Sequence, residues 1–133
     1  MEPKGDDLLP GSGLSWYQFK TPDYSILQTF ENPATNESHV TFMTNEVSAL
    51  CPLTGFPDQY QVVIDYLPDK RCVESKSAKF YFGSFRDYPG FIEKVAEQIF
   101  NDWVKVLEPI HLSLSIMMNP RGGIGIKVDR STD

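Results

Sequence analysis

Between Phe91 and Leu107 the apolar residues fall at Phe91, Ile92, Val95, Ala96, Ile99, Phe100, Trp103, Val104 and Leu107. That is the i, i+3, i+4, i+7 rhythm of an amphipathic helix, and Pro109 marks its end. A helix with one apolar stripe must bury it against another element. The sequence offers strands on both sides. Before the helix, Tyr60 to Leu67 is rich in Val, Ile and Tyr, and His39 to Thr44 alternates Val40 and Phe42 with His39 and Thr41, both β-type runs. After it, Leu112, Leu114 and Ile116 alternate with Ser113, Ser115 and Met117, and Ile124, Ile126 and Val128 keep the same period. These are half-buried strands, His111 to Met118 and Gly123 to Val128, joined by Asn119-Pro120-Arg121-Gly122. A further helix is expected from about Ser75 to Arg86. The stretch Asn45 to Gln59 carries Pro52, Gly55 and Pro57 and reads mostly as loop.

The resulting order, ββααββ, predicts an α+β fold: an antiparallel four-stranded sheet with two helices on one face. Such a sheet leaves edges to be covered, so a homo-oligomer is expected. The chain has 133 residues, 41% of them apolar, which suits one domain with a real core. That domain is expected over 14–133, with a strand or extended arm, then a loop, in 14–38. The first 13 residues, acidic and rich in Gly and Pro, read as a flexible leader. They lack the basic and apolar regions of a signal peptide, and no run of 18 apolar residues suggests a membrane span. Cytoplasmic residence is the expectation. A net charge of −6 shows no basic face for a phosphate backbone, so nucleic acid is not an expected partner.

Cys51 sits in Leu50-Cys51-Pro52-Leu53-Thr54-Gly55-Phe56-Pro57-Asp58. A cysteine on a fixed Pro/Gly-rich loop is either a reactive thiol or a small buried residue, and exposure and pKa decide between them. Asp58 is a proton-donor candidate beside it, or a strand-end charge. Glu74 or Ser75 suits a helix cap. Lys76 and Lys79, three apart, share a helix face that suits an anion or merely solvent. Arg121 at a glycine turn can clamp a phosphate or stand exposed, and Glu93 is by default a surface helix residue. His39, His111 and Cys72 read as structural. No histidine has a partner at metal-ligand spacing, and no metal is expected.

Taken together, the motifs resemble the cyano-deazaguanine reductase family of the tunnelling fold, related to GTP cyclohydrolase I. The cysteine loop Leu50 to Asp58 matches throughout. So do Val73-Glu74-Ser75-Lys76-Ser77-Ala78-Lys79, Ser84-Phe85-Arg86 and Pro120-Arg121-Gly122-Gly123-Ile124, in order and spacing from about residue 39 to residue 128. The resemblance implies subunits assembled into rings with active sites between them, and reduction of the nitrile of 7-cyano-7-deazaguanine to its aminomethyl form in queuosine biosynthesis. It implies Cys51 as the thiolate that forms a covalent thioimide and Asp58 as the proton donor. It places Val73, Glu74, Ser75, Ile92 and Glu93 at the small-molecule deazapurine. Ser75, Lys76, Lys79, Arg121 and Gly122 would hold NADPH.

One position departs. The family carries His before the substrate-binding Glu, and this chain has Phe91-Ile92-Glu93. Isoleucine neither carries a proton nor hydrogen-bonds. Two other readings share the motifs: a thioimide enzyme that adds ammonia to give an amidine, and a non-catalytic deazapurine-binding protein.

Overall fold

In the computed structural model residues 18–133 are described; the expected leader, 1–13, lies outside them. Four strands form one antiparallel sheet. They are β2 (Val40–Leu50), β3 (Pro57–Leu67), β5 (His111–Arg121) and β6 (Ile124–Ser131), side by side in that order. Two short strands, β1 (Thr29–Glu31) and β4 (Arg71–Val73), pair in a second, two-stranded sheet. Between β4 and β5 come α1 (Ser75–Gly83), a 3-10 turn (Ser84–Asp87) and α2 (Ile92–Leu107).

The core lies between the large sheet and the helices. Along β3 the residues Asp58, Tyr60, Val62, Ile64 and Tyr66 are buried in strict alternation with exposed or half-buried neighbours. Leu112, Leu114 and Ile116 do the same on β5. Onto this face α2 lays Ile92, Val95, Ala96, Ile99, Trp103 and Leu107. Trp103 has no solvent exposure and packs edge-on against Phe42, ring centroids 5.1 Å apart. Truncating so large a buried ring to Ala costs about 3–5 kcal/mol. The opposite face of the sheet is open and carries Met43, Val63 and Met117 among polar residues.

Local rules set the helix ends. At the end of α2, Glu108 turns left-handed (φ 45) and its N–H reaches Val104 O at 2.9 Å, an αL cap ahead of Pro109. At the start of α1, Glu74 is the cap: its carboxylate accepts from the N–H groups of Lys76 and Ser77, both at 2.7 Å. Helix α1 stops at Gly83, three residues before the expected Arg86. There the Ser84 hydroxyl donates to Tyr81 O at 2.5 Å, a local bond that competes with the helical ladder.

Three further expectations are corrected. Asn45 to Gln59 is not mostly loop, because β2 runs on to Leu50 and β3 begins at Pro57. A β-bulge lies between Thr44 and Val47. Its extra residue moves the core-facing positions from Val40 and Phe42 to Val47 and Ala49, which breaks the alternation that marks a strand in sequence. The final turn is Gly122-Gly123, with φ of 60 and 81, the left-handed pair of a two-residue hairpin. Arg121 therefore ends β5 instead of standing in a four-residue turn. Finally, β4 was not foreseen, whereas β1 lies in 14–38, where a strand or extended arm was expected; at three residues each they carry no periodic signal.

Candidate active site

The Cys51 loop is the tip of the β2–β3 hairpin. Leu50 pairs with Pro57, and between them the chain closes on itself: Cys51 N–H donates to Phe56 O at 2.9 Å and Gly55 N–H to Cys51 O at 2.8 Å. Gly55 takes φ 73, which a β-carbon disfavours. This turn aims main-chain donors at the half-buried, unpaired thiol. The Thr54 hydroxyl, then the N–H of Thr54 and of Leu53, bond the sulfur and hold the thiol below its ordinary range; slight burial and the Asp58 charge oppose them. Hydrogen bonds to the charged form stabilise it, and the thiolate is the nucleophile.

A second set of main-chain bonds brings α2 to this loop. Leu50 N–H donates to Tyr88 O at 2.9 Å and Gly90 N–H to Leu50 O at 3.1 Å. Gly90 is tight: a β-carbon there would lie 3.2 Å from Lys94 Cδ and 3.3 Å from the Tyr88 ring. The clamp places Phe91, Ile92 and Glu93 beside Cys51. All three line a cavity of about 280 Å³ with Cys51, Thr54, Asp58, Met118, Arg121 and Ile126. Here the sheet extends past the start of α2, so Phe91 and Ile126 stay exposed and give the cavity apolar walls.

Asp58 is 6% exposed and fixed in the β2–β3 ladder opposite Ala49. Arg121 Nη1 donates to its Oδ1 at 2.6 Å. Burial first, then the charges of Asp58, Cys51 and Glu93, push the Tyr60 phenol up to about 12, so it is neutral across the physiological range.

Five of the expected site residues thus share one cavity: Cys51, Asp58, Ile92, Glu93 and Arg121. Val73, Glu74 and Ser75 do not join them. They line a separate groove of about 580 Å³ with Phe30, Phe42 and Tyr66. Lys76 and Lys79 are exposed on α1 and line neither cavity, and neither does Gly122, at the hairpin tip. No ion-pair partner for either lysine exists among the described residues. His39 bonds Asp65 and His111 bonds Asp133, and no metal-binding cluster occurs among the described residues. Sequence reasoning missed Thr54, the thiol's main donor. Its signal is a hydroxyl three residues after the cysteine, the spacing of a side-chain cap.

Fold and site together define a class: an α+β protein whose hairpin-tip thiol, held below its ordinary pKa by local hydrogen bonds, lines a cavity of about 280 Å³. The comparisons give the family. The profile described as "QueF-like protein" matches residues 57–133. A Synechococcus elongatus protein named NADPH-dependent 7-cyano-7-deazaguanine reductase is 41% identical over 109 residues, 81% of this chain and 63% of the relative. Proteins of the same name from Streptococcus mutans and Bacillus subtilis are 41% and 37% identical over 91% and 94% of the chain, each covered to 75%. A solved structure, that of the archaeosine synthase QueF-Like in the apo form, superposes with a TM-score of 0.67 at 18% identity, over 73% of this chain and 95% of that one; it shares the fold. The chain belongs to the QueF-like protein family. It spans 63% of the length of the Synechococcus relative.

Proposed function

We propose that this chain reduces the nitrile of 7-cyano-7-deazaguanine to the aminomethyl group, with NADPH as reductant, as a step of queuosine biosynthesis in the cytoplasm. The observation that carries the reading is the Cys51 thiol, held toward thiolate by Thr54 and Leu53 at the mouth of a cavity that also presents Asp58 and Glu93. A nitrile carbon is a soft electrophile, and a thiolate adds to it to give a covalent thioimide. Asp58 gives the nitrogen its proton. Glu93 accepts N–H bonds from the guanine-like edge, and Phe91, Met118 and Ile126 enclose the flat ring. Ile92 is buried and forms wall; it shuttles no proton.

Bound NADPH supplies the hydrides. The donor set suits its phosphates: Lys76 and Lys79 are exposed and free of ion pairs among the described residues, and Arg121 is 44% exposed at its side chain. Cations on rigid elements are what phosphate recognition requires. Ser75 and the Gly122 backbone complete the set.

The fold is read as a tunnelling fold whose subunits form a ring. Two observations support a shared site. The Val73–Ser75 groove is separate from the Cys51 cavity within one chain, and among the described residues β2 and β6 are the edges of the large sheet, β2 being bonded outward through Leu50. An edge strand is a template for pairing with another copy. Val73, Glu74 and Ser75 of one subunit would then complete the cavity of the next.

NADPH absorbance tests the activity. Two NADPH consumed per nitrile, with the aminomethyl product formed, is the expected result. An adduct that consumes no NADPH but turns to amidine with ammonia would replace the reductase by an amidine synthase. Absence of both adduct and turnover would leave a binding protein.

A further inference from the structure

Among the described residues four aromatic rings stand exposed: Tyr24, Phe30, Phe56 and Phe91. The Tyr24 ring carries the Lys105 ammonium 4.2 Å from its centroid. Phe56, at the Cys51 hairpin tip, lines neither the Cys51 cavity nor the Val73–Ser75 groove. Phe30 and Phe91 differ from both. They are 49% and 50% exposed, and neither packs against another ring among the described residues. Phe91 lines the Cys51 cavity, and Phe30 lines the groove that holds Glu74. Each half of the proposed shared site thus has one unpaired, half-exposed ring on its wall.

The backbone of Phe30 is fixed relative to Glu74. Phe30 stands opposite Cys72 in the β1–β4 pair, and a two-stranded ribbon is marginal by itself. Both ends of this one are tied down. At one end Glu74 N–H donates to Gln28 O at 2.8 Å, and Gln28 N–H donates to the Ser77 hydroxyl at 2.9 Å. At the other, Asn32 N–H donates to Lys70 O at 2.9 Å and its side-chain amide to Asp69 O at 3.1 Å. Phe30 is not part of the core cluster, so this clamp does not serve the packing of its ring.

We propose that Phe30 stacks on one face of the bound deazapurine, opposite Phe91 of a neighbouring copy. The proposal rests on the reductase reading and its shared site. A fused heteroaromatic ring has a polar edge and two apolar faces. Glu74 and Glu93 meet the N–H groups of the edge, but a carboxylate in the ring plane covers neither face. Phe91 walls one face. A second aromatic plane on the other keeps water from both, and offset stacking adds to what buried area alone contributes. Stacking of this kind tolerates any flat base, because every base has a π-face. Phe30 therefore sets affinity for the ring, and the two carboxylates choose which ring.

The test is calorimetric titration of the full chain with 7-cyano-7-deazaguanine in a Cys51→Ala background, where the nitrile binds without being trapped. Phe30→Leu keeps an apolar side chain but loses the ring plane, and is expected to bind about tenfold more weakly. Phe30→Tyr keeps the plane and is expected to bind within about twofold of the Phe30 parent. Both leave the core cluster untouched, and the native mass of the assembly is expected to stay the same. Equal affinity in the parent and Phe30→Leu, or equal losses in both variants, overturns the stacking role, while binding by the parent leaves the reductase reading in place. A native mass that changes in step with affinity makes Phe30 a contact between copies, and overturns the proposal too. No binding by the parent overturns the reductase reading, and this proposal with it.

Discussion

The cavity at Cys51 and the groove at Glu74 are built by opposite means. Around Cys51 nearly every positioning force is local. A closed hairpin tip, two main-chain bonds to Tyr88 and Gly90, and one ion pair set Cys51, Asp58 and Arg121 within a single chain. At Glu74 the expected recognition groups already have structural work. The Glu74 carboxylate spends one acceptor on each of two helix N–H groups, and its own N–H is tied to Gln28 O at 2.8 Å. On the proposed reading, reactivity is encoded within the subunit, and recognition at Val73–Ser75 needs the second surface that a neighbouring copy would bring. A carboxylate oxygen has two lone pairs, so a capping Glu still has acceptors to offer a ligand.

Mixing subunits puts this contrast at greatest risk. If the site is shared between copies as proposed, Cys51→Ala and Glu74→Ala damage different halves of it. Alone, the first is expected to be inactive and the second weak. Denatured together in equal amounts and refolded, they are expected to recover roughly a quarter of wild-type sites, since both halves are intact in that share of random neighbours. No recovery, read as NADPH oxidation, would place the whole site inside one chain.

Single substitutions at Glu74 have smaller consequences. Glu74→Ala is expected to cost about 1 kcal/mol through the lost cap, read from denaturant unfolding, and to raise the KM for the deazapurine. Glu74→Gln keeps an oxygen for the cap but gives up the charge. It is expected to raise KM about tenfold with little change in kcat or stability. Equal losses in both variants would mean that Glu74 serves the helix alone.

On the Cys51 side, Thr54→Val removes the largest of the interactions that hold the thiol down. The sign follows from which form the hydroxyl bonds. It stabilises thiolate, so its loss raises the thiol pKa and lowers the thiolate fraction at any given pH below it. The pH profile of iodoacetamide alkylation is expected to move to higher pH, with several-fold slower labelling near neutrality. A profile that stays in place would show that the main-chain N–H groups alone set the nucleophile.

The smallest effect is expected at Ile92. Ile92→His buries a polar ring at a 2% exposed position and is expected to lower stability by about 1 kcal/mol, read as a lower Tm. Adduct formation should not change, because Cys51 and Asp58 are untouched. A large change in adduct formation would give residue 92 a part in the covalent step.

Much of this architecture is legible in the residues. The α2 stripe ending in Trp103 and Leu107, and the alternation of β5, follow from burial periods that tertiary packing leaves unchanged. The middle of β2 is illegible for a physical reason: the bulge before Val47 shifts the alternation by one, so the core-facing set switches parity where Asn45 and Glu46 look like loop. The site is partly legible. The motif spacing picks out Cys51, Asp58 and Arg121, but the pairing of Asp58 with Arg121 depends on the β3–β5 register, which no local pattern specifies. Nor does sequence reveal that Val73–Ser75 and Cys51 face separate cavities.

The central claim is that Cys51 attacks the nitrile. The direct measurement is the intact mass of the chain after mixing with 7-cyano-7-deazaguanine in the absence of NADPH. Wild type is expected to gain one nitrile molecule per chain, and Cys51→Ala none. No gain in wild type, or the same gain in Cys51→Ala, would contradict it.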